Sequence, residues 1–218
     1  VGGAPHERHV LMAMPVPSLP PDLDAQPTDL AEQLLHSEQV LHGHFLRAWR
    51  DTVKLPNGQQ AGREYVRHPG AVVIVASLPD GRYLIEYQYR HPVGRAMLEF
   101  PAGKIDAGEP SLASAQRELR EETGFVAGQW AFAGVMHNCI GYSDEHIDIW
   151  FARDLQFQGQ ALDDGEALRV YAASLPDLLQ RARSGELTDA KTLTALLWLQ
   201  QVHAGQWALD WYESAAKA

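Results

Sequence analysis

Cysteine is almost missing from these 218 residues: Cys139 is the only one, so no disulfide can form within the chain, and the reducing cytosol is the compartment this usage fits. Long apolar runs are missing too. No stretch approaches the length of a membrane span, and the N-terminus has no charged start leading into a sustained apolar segment, so neither a membrane anchor nor export is expected. Met12 and Met14 read as more natural starts than Val1. Positive charge is scarce: 18 Lys and Arg stand against 28 Asp and Glu, a formal net charge of −10. That field repels nucleic acid and anionic lipid, so neither is expected as a partner, and an anionic substrate would have to be met by metal and a few arginines. Walker loops, zinc-ligand spacings, internal repeats and low-complexity tracts are absent, and the ten histidines form no paired-ligand array. What remains is a chain with 45% hydrophobic residues, long enough for one catalytic domain with a small accessory part.

The most informative stretch is Gly103 to Phe125, GKIDAGEPSLASAQRELREETGF. Between Pro110 and Thr123 it holds no internal glycine or proline, and Leu112, Ala113, Ala115 and Leu119 recur at helical spacing. Pro110 suits a first turn and Gly124 the left-handed residue beyond the end. On such a helix Glu118, Glu121 and Glu122 share one face. Arg117, four residues before Glu121, offsets only part of their repulsion. Clustered hard oxygens suit Mg²⁺ or Mn²⁺, whereas the ordinary reading of such a run is a solvated acidic face.

The flanking spacing goes further. Gly103, five residues, Glu109, seven residues, then Arg117-Glu118-Leu119-Arg120-Glu121-Glu122-Thr123-Gly124-Phe125 matches G-x5-E-x7-R-E-U-x-E-E-x-G-U, with U apolar, at every fixed position. The chain resembles the Nudix hydrolases, which cleave nucleoside diphosphates linked to a further group. The resemblance implies that Glu118 and Glu122 are the principal metal ligands with Glu121 beside them, and that Glu109 and Arg117 form an ion pair holding loop to helix. The lead-in Glu99-Phe100-Pro101-Ala102-Gly103-Lys104-Ile105-Asp106 is similar to that of the ADP-ribose pyrophosphatase branch, which implies that the Ala102 carbonyl binds metal. Glu99 is either a further carboxylate or a strand-end partner of an arginine. Gln88-Tyr89-Arg90 and the segment Arg63 to Gly70 also look like that branch, so Arg90 and Arg63 become candidate phosphate or ribose contacts.

Residues 1–36, with six prolines in the first 28, read as an N-terminal arm, in which Asp29 and Glu32 could open a short capping-box helix through Leu35. Residues 37–68 read as an extension built on a hairpin, Phe45 to Leu55 and Gln59 to Val66, around the Asn57-Gly58 turn. In the resembled branch such a sheet exchanges across a homodimer and helps to bind the nucleobase; the alternative is an intrachain extension of the core sheet. Residues 69–205 form the catalytic domain, followed by a tail, 206–218. Ala71–Ser77 and Arg82–Arg90 are expected as two adjacent buried strands joined at Leu78–Gly81, with further strands at Trp130–Met136, Ile147–Ala152 and up to Tyr171. Two helices, Ser174–Arg183 and Asp189–His203, close the domain, the second with Leu193, Leu196, Leu197 and Val202 on its apolar face.

The loop His137 to Glu145 departs from the branch. A proline usual there is replaced at about Cys139 or Ile140, although Gly141-Tyr142-Ser143-Asp144-Glu145 keeps the Gly-aromatic-Ser-x-Glu pattern, which marks Glu145 as a candidate substrate contact. A tyrosine at about Tyr142 is associated with dinucleoside polyphosphate hydrolases, while Cys139 itself reads as a packed thiol. In the acidic loop that ends Asp163-Asp164-Gly165-Glu166, the resemblance implies a residue that activates water, Glu166 or Asp164; the ordinary reading is solvated turn residues. The expectation is an α/β Nudix fold, a mixed sheet between helices with an N-terminal β-rich extension. The expected reaction is metal-dependent hydrolysis of ADP-ribose to AMP and ribose 5-phosphate. The alternatives are the same chemistry on another nucleotide sugar or a dinucleoside polyphosphate, and a non-catalytic nucleotide sensor, against which the intact acidic box and the negative charge argue.

Overall fold

Ala71–Ala76, AVVIVA, is apolar on both faces, and such a strand is stable only with both faces covered. In a computed structural model, which describes residues 27–162 and 165–213, all six residues are buried. The chain runs through β1 (Gln33–His42), β2 (Arg47–Lys54), β3 (Gln60–Val66), β4 (Ala71–Ala76), β5 (Tyr83–Arg90), β6 (Arg95–Glu99) and β7 (Ala102–Lys104). Helix α1 (Ser111–Thr123) follows, then the long strands β8 (Phe125–His137) and β9 (His146–Phe157), β10 (Leu168–Ala173), helices α2 (Leu175–Ser184) and α3 (Ala190–His203), and a short β11 (Tyr212–Glu213).

Strand β4 lies in a five-stranded mixed sheet, β11-β8-β9-β4-β7, parallel to β9 and antiparallel to β7. Its alternating side chains enter two cores. Val73 and Val75 pack with Leu98, Phe100, Ile149, Leu178 and Leu196, on the side of α2 and α3. Val72 and Ile74 pack with Ala115 and Leu119 of α1 and with Trp130 and Trp150. The sheet is therefore sandwiched between helices, as the sequence led us to expect.

Strand β5 does not stay beside β4. The Leu78–Gly81 turn forms, with the Gly81 N–H donating to Leu78 O at 3.0 Å. Beyond a single bridge, Ser77 to Tyr83, the two runs diverge, and β5 joins a separate antiparallel sheet, β10-β5-β6. The pattern in β5 carries the reason: Leu84, Ile85 and Glu86 are buried, but Tyr87 and Tyr89 are exposed, so only its first half enters the core.

The N-terminal region corrects two expectations. A capping-box helix at Asp29–Leu35 does not form; a 3-10 turn at Thr28–Leu30 leads instead into β1, which begins at Gln33, inside the segment read as an arm. Glu32 is drawn away from capping because Arg63 donates to it, Nε to Oε2 at 3.1 Å. The hairpin is thus two strands of a three-stranded sheet, β1-β2-β3, with β1 paired to β2 from Gln33–Lys54 to His42–Arg47. Nearly all of β1 is exposed, so no apolar alternation marked it in the sequence.

The β8–β9 ladder runs from Phe125–Phe157 to His137–His146, longer than the sequence suggested. Both closing helices are capped as their sequences allow: Ser174 accepts from the Asp177 N–H and Asp189 from the Thr192 N–H at 2.9 Å. The buried face of α3 is Thr192, Ala195, Leu196 and Leu199, whereas Leu193 and Leu197 are exposed. That face starts at a polar residue because the Thr192 hydroxyl accepts the Phe100 N–H at 3.0 Å, which an apolar-stripe reading passes over.

Candidate active site

Helix α1 ends at Gly124, whose φ of 77° is the left-handed conformation expected there. Its last two turns present Glu118, Glu121 and Glu122 toward β7. Glu122 is 2% exposed and its Oε2 accepts the Ala102 N–H at 2.9 Å. Glu118 lies directly over Gly103: a Cβ built there would stand 1.9 Å from the Glu118 Cδ and 2.0 Å from Oε1, so only glycine lets the carboxylate reach the strand.

Arg117 is the hub beside them. It donates to both Glu109 oxygens at 3.2 and 3.1 Å, to Glu118 Oε1 at 2.7 Å, to Glu121 Oε2 at 3.1 Å and to the Lys104 carbonyl at 3.0 Å. The expected Glu109–Arg117 ion pair is present, and it also ties the loop before α1 to the helix. Hydrogen bonds from Arg117, and then from Ser114, hold the Glu109 carboxyl down to about 2. Burial pushes Glu122 up to about 10, with Glu86 and Glu118 adding like charge. Burial also raises Glu118, against the pull of Arg117.

Arg90 faces the same region from β5 and is held by Glu99, with Nε on Oε1 at 2.8 Å and Nη2 on Oε2 at 2.7 Å; Lys191 of α3 also donates to Glu99. Glu99 is 1% exposed, and although burial acts to raise it, Arg90 and Lys191 hold it below the usual carboxylate range. Of its two readings, the arginine partner is the one realised. Glu166 accepts from Gln88 Nε2 at 2.9 Å, and Gln160 donates to the Glu122 carbonyl. Asp164 lies outside the described residues.

Arg63 and Glu145 stand apart from this cluster. Arg63 is on β3 with Glu32, while Glu145 accepts from Asn138 at 2.8 Å and approaches His68 Nδ1 at 3.6 Å. The loop before β9 is stitched to the end of β3, with Val66 N on Tyr142 O at 2.9 Å and His68 N on Asp144 Oδ1 at 2.8 Å. Sequence reasoning missed Glu86, Gln88 and Lys191. A signal existed for Glu86, a charged residue inside the apolar start of a strand; nothing singled out Lys191.

The donor set fits a hard divalent cation: acceptor oxygens of the buried Glu122 and the half-buried Glu118 meet a backbone strand opened by glycine, with too little positive charge to neutralise them. Among the described residues no three acidic or histidine side chains already converge as a ready cage, because Arg117 holds Glu118 and Glu121.

Residues 66–197 match the NUDIX domain. The chain belongs to the Nudix family. Residues 32–66, which contain the β1-β2-β3 sheet, match the nucleoside diphosphate sugar hydrolase N-terminal domain. This Nudix hydrolase is 35% identical to the ADP-ribose pyrophosphatase of Bacillus subtilis over 81% of its own length and 97% of the relative's. It is equally identical to a methanol dehydrogenase activator of Bacillus methanolicus, over 78% and 92% of the two chains. The ADP-ribose pyrophosphatase of Mycobacterium tuberculosis is also 35% identical, over 78% and 84%. A crystal structure of an ADP compounds hydrolase superimposes with a TM-score of 0.74 at 25% identity, covering 81% of this chain and 97% of that one. No described helix is long and apolar enough to cross a membrane.

Proposed function

We propose that this chain hydrolyses the pyrophosphate bond of ADP-ribose to AMP and ribose 5-phosphate, with Mg²⁺ or Mn²⁺ held by Glu118, Glu121, Glu122 and the Ala102 carbonyl. The observation that carries the reading is Glu122, buried against β7 beside Glu118, where a cation would discharge the site. The substrate follows from the two ADP-ribose pyrophosphatase relatives and from the N-terminal domain match.

A bound divalent ion neutralises charge on the transferring phosphoryl group and lowers the pKa of an attacking water. The residues supply the rest. Arg90, fixed by Glu99, presents its guanidinium to a phosphate, and the Glu109–Arg117 brace keeps the loop against α1. Glu166, oriented by Gln88, or Asp164 takes the proton as the water oxygen bonds to phosphorus. The bond from that phosphorus to the bridging oxygen breaks, and the departing phosphate keeps the electron pair. Arg63 and Glu145, away from the cluster, serve the nucleoside end of the substrate. The exposed β1-β2-β3 sheet supports a homodimer.

The test is hydrolysis of ADP-ribose, other nucleotide sugars, dinucleoside polyphosphates and NADH, with and without Mg²⁺, compared by kcat/KM. Preference for ADP-ribose is expected. Tyr142, 62% exposed in the altered loop, is where a preference for dinucleoside polyphosphates would originate. Turnover of none of them with tight binding of one would make the chain a sensor.

A further inference from the structure

Glu86 is fully buried, and among the described residues neither of its carboxylate oxygens has a hydrogen-bond partner. Two residues along β5, the buried Oε1 of Gln88 is also unpartnered. Residues i and i+2 share a strand face, and this one is the face of Leu84, which packs with Ala115 and Leu119 of α1, one turn before Glu122. The charge of Glu86 adds to the burial that raises Glu122, which places the two within electrostatic reach. Across the sheet Glu86 is in register with Glu99.

Three orphaned oxygens on one strand face are costly, because each gave up its hydration on folding without gaining a partner. None of the three is hydrogen-bonded to another or to any other described group. The nearby cations are already engaged: Arg117 with Glu109, Glu118 and Glu121, and Arg90 and Lys191 with Glu99. A site that has acceptors on its strand side, a buried carboxylate on its helix side and no partner among the described residues fits a hard cation, because two carboxylates, an amide oxygen and water are a sufficient donor set for Mg²⁺ or Mn²⁺.

We infer that Glu86 and Gln88 form the strand-side half of a divalent-cation site completed by Glu122, additional to the box residues and the Ala102 carbonyl. The inference rests on the metal-dependent reading above. Gln88 has two functions in it: its amide nitrogen holds Glu166 while its oxygen faces the cation, so occupancy of this site also fixes the residue proposed to take the proton.

The test is direct Mn²⁺ titration of the full chain, reading free Mn²⁺ by electron paramagnetic resonance, for wild type, Glu86→Gln, Glu86→Leu and Glu122→Gln. Thermal melts with and without Mn²⁺ accompany each titration. Glu86→Gln is expected to remove one Mn²⁺ from the stoichiometry or weaken binding by about 10–100-fold, the range in which altered metal surroundings act. Its metal-free melting temperature should equal or exceed that of wild type, because an orphaned carboxyl has been relieved, and Glu86→Leu should behave alike. Wild-type Mn²⁺ binding by both Glu86 variants alongside weakened binding by Glu122→Gln would overturn the role of Glu86 and leave the box reading intact. No Mn²⁺ binding by wild type would overturn both.

Discussion

Gly103 shows how a single missing side chain can make a site. The Glu118 carboxylate occupies the space a Cβ would take, 1.9–2.4 Å from its nearest atoms. Gly103→Ala should therefore displace Glu118 rather than unfold the sheet, since Gly103 has no left-handed φ to lose. Turnover should fall roughly 100-fold, as expected for a catalytic group misplaced by about 1 Å, while circular dichroism stays unchanged. Glu122→Gln keeps shape but removes the carboxylate a cation would bind, and kcat should fall by orders of magnitude with folding preserved; near-wild-type turnover with full metal dependence would sink that assignment. Glu109 makes a prediction in pH. Its folded pKa of about 2 lies below the ordinary 4.5, so the contribution of its pairing is complete above 4.5 and is lost as pH falls through 2. The melting temperature of Glu109→Gln should consequently approach that of wild type as acid is added across that window, and a constant gap would contradict the pairing.

Helix α1 and the loop after β9 act together through Gly124. Its carbonyl accepts the Gln158 N–H at 2.7 Å and the Gly159 N–H at 3.2 Å, and a Cβ there would lie 2.7 Å from the Gln160 nitrogen. With φ at 77°, Gly124→Ala combines backbone strain with a backbone collision, a cost of about 1–3 kcal/mol, and should lower the melting temperature by roughly 2–4 °C for each kcal/mol. Unchanged melting would show that the loop yields freely. Elements of this kind were legible in the sequence because their signals are local: Pro110 and Gly124 bracket α1, Asn57-Gly58 makes the β2–β3 turn, and the spacing from Gly103 to Phe125 names the box. What was not legible depended on distant partners. Strand β1 carries no apolar alternation and exists because β2 pairs with it. The departure of β5 from β4 is decided by β6 and β10, and although a charge in the apolar start of β5 marks Glu86, its lack of a partner among the described residues shows only in the fold. Arg90 was singled out through its motif, but it is held by Glu99, nine positions away, which is held in turn by Lys191, 101 positions from Arg90, and no local pattern connects them.

At the scale of the molecule, the β1-β2-β3 sheet is the part least explained by a single chain. Strand β1 is a ten-residue edge, and Leu34, Leu35, Val40, Leu41, Phe45 and Leu46 are each at least 45% exposed along it and its turn. A long edge strand with exposed apolar side chains invites pairing or burial against another surface. The catalytic domain meets this sheet chiefly through the end of β3, where Val66 and His68 bond to the loop at Tyr142 and Asp144. In the proposed homodimer a second copy of the chain would cover this edge and bring the nucleoside end of one site within reach of the other chain's sheet. Sedimentation velocity should accordingly give twice the chain mass, and the double substitution Leu34→Glu with Leu41→Glu should give the single mass at the same concentration with its far-ultraviolet spectrum retained. If the proposed dimer completes only the nucleoside end, KM should rise in that variant more than kcat falls. A wild-type monomer with full activity would mean that the apolar edge serves something other than self-association.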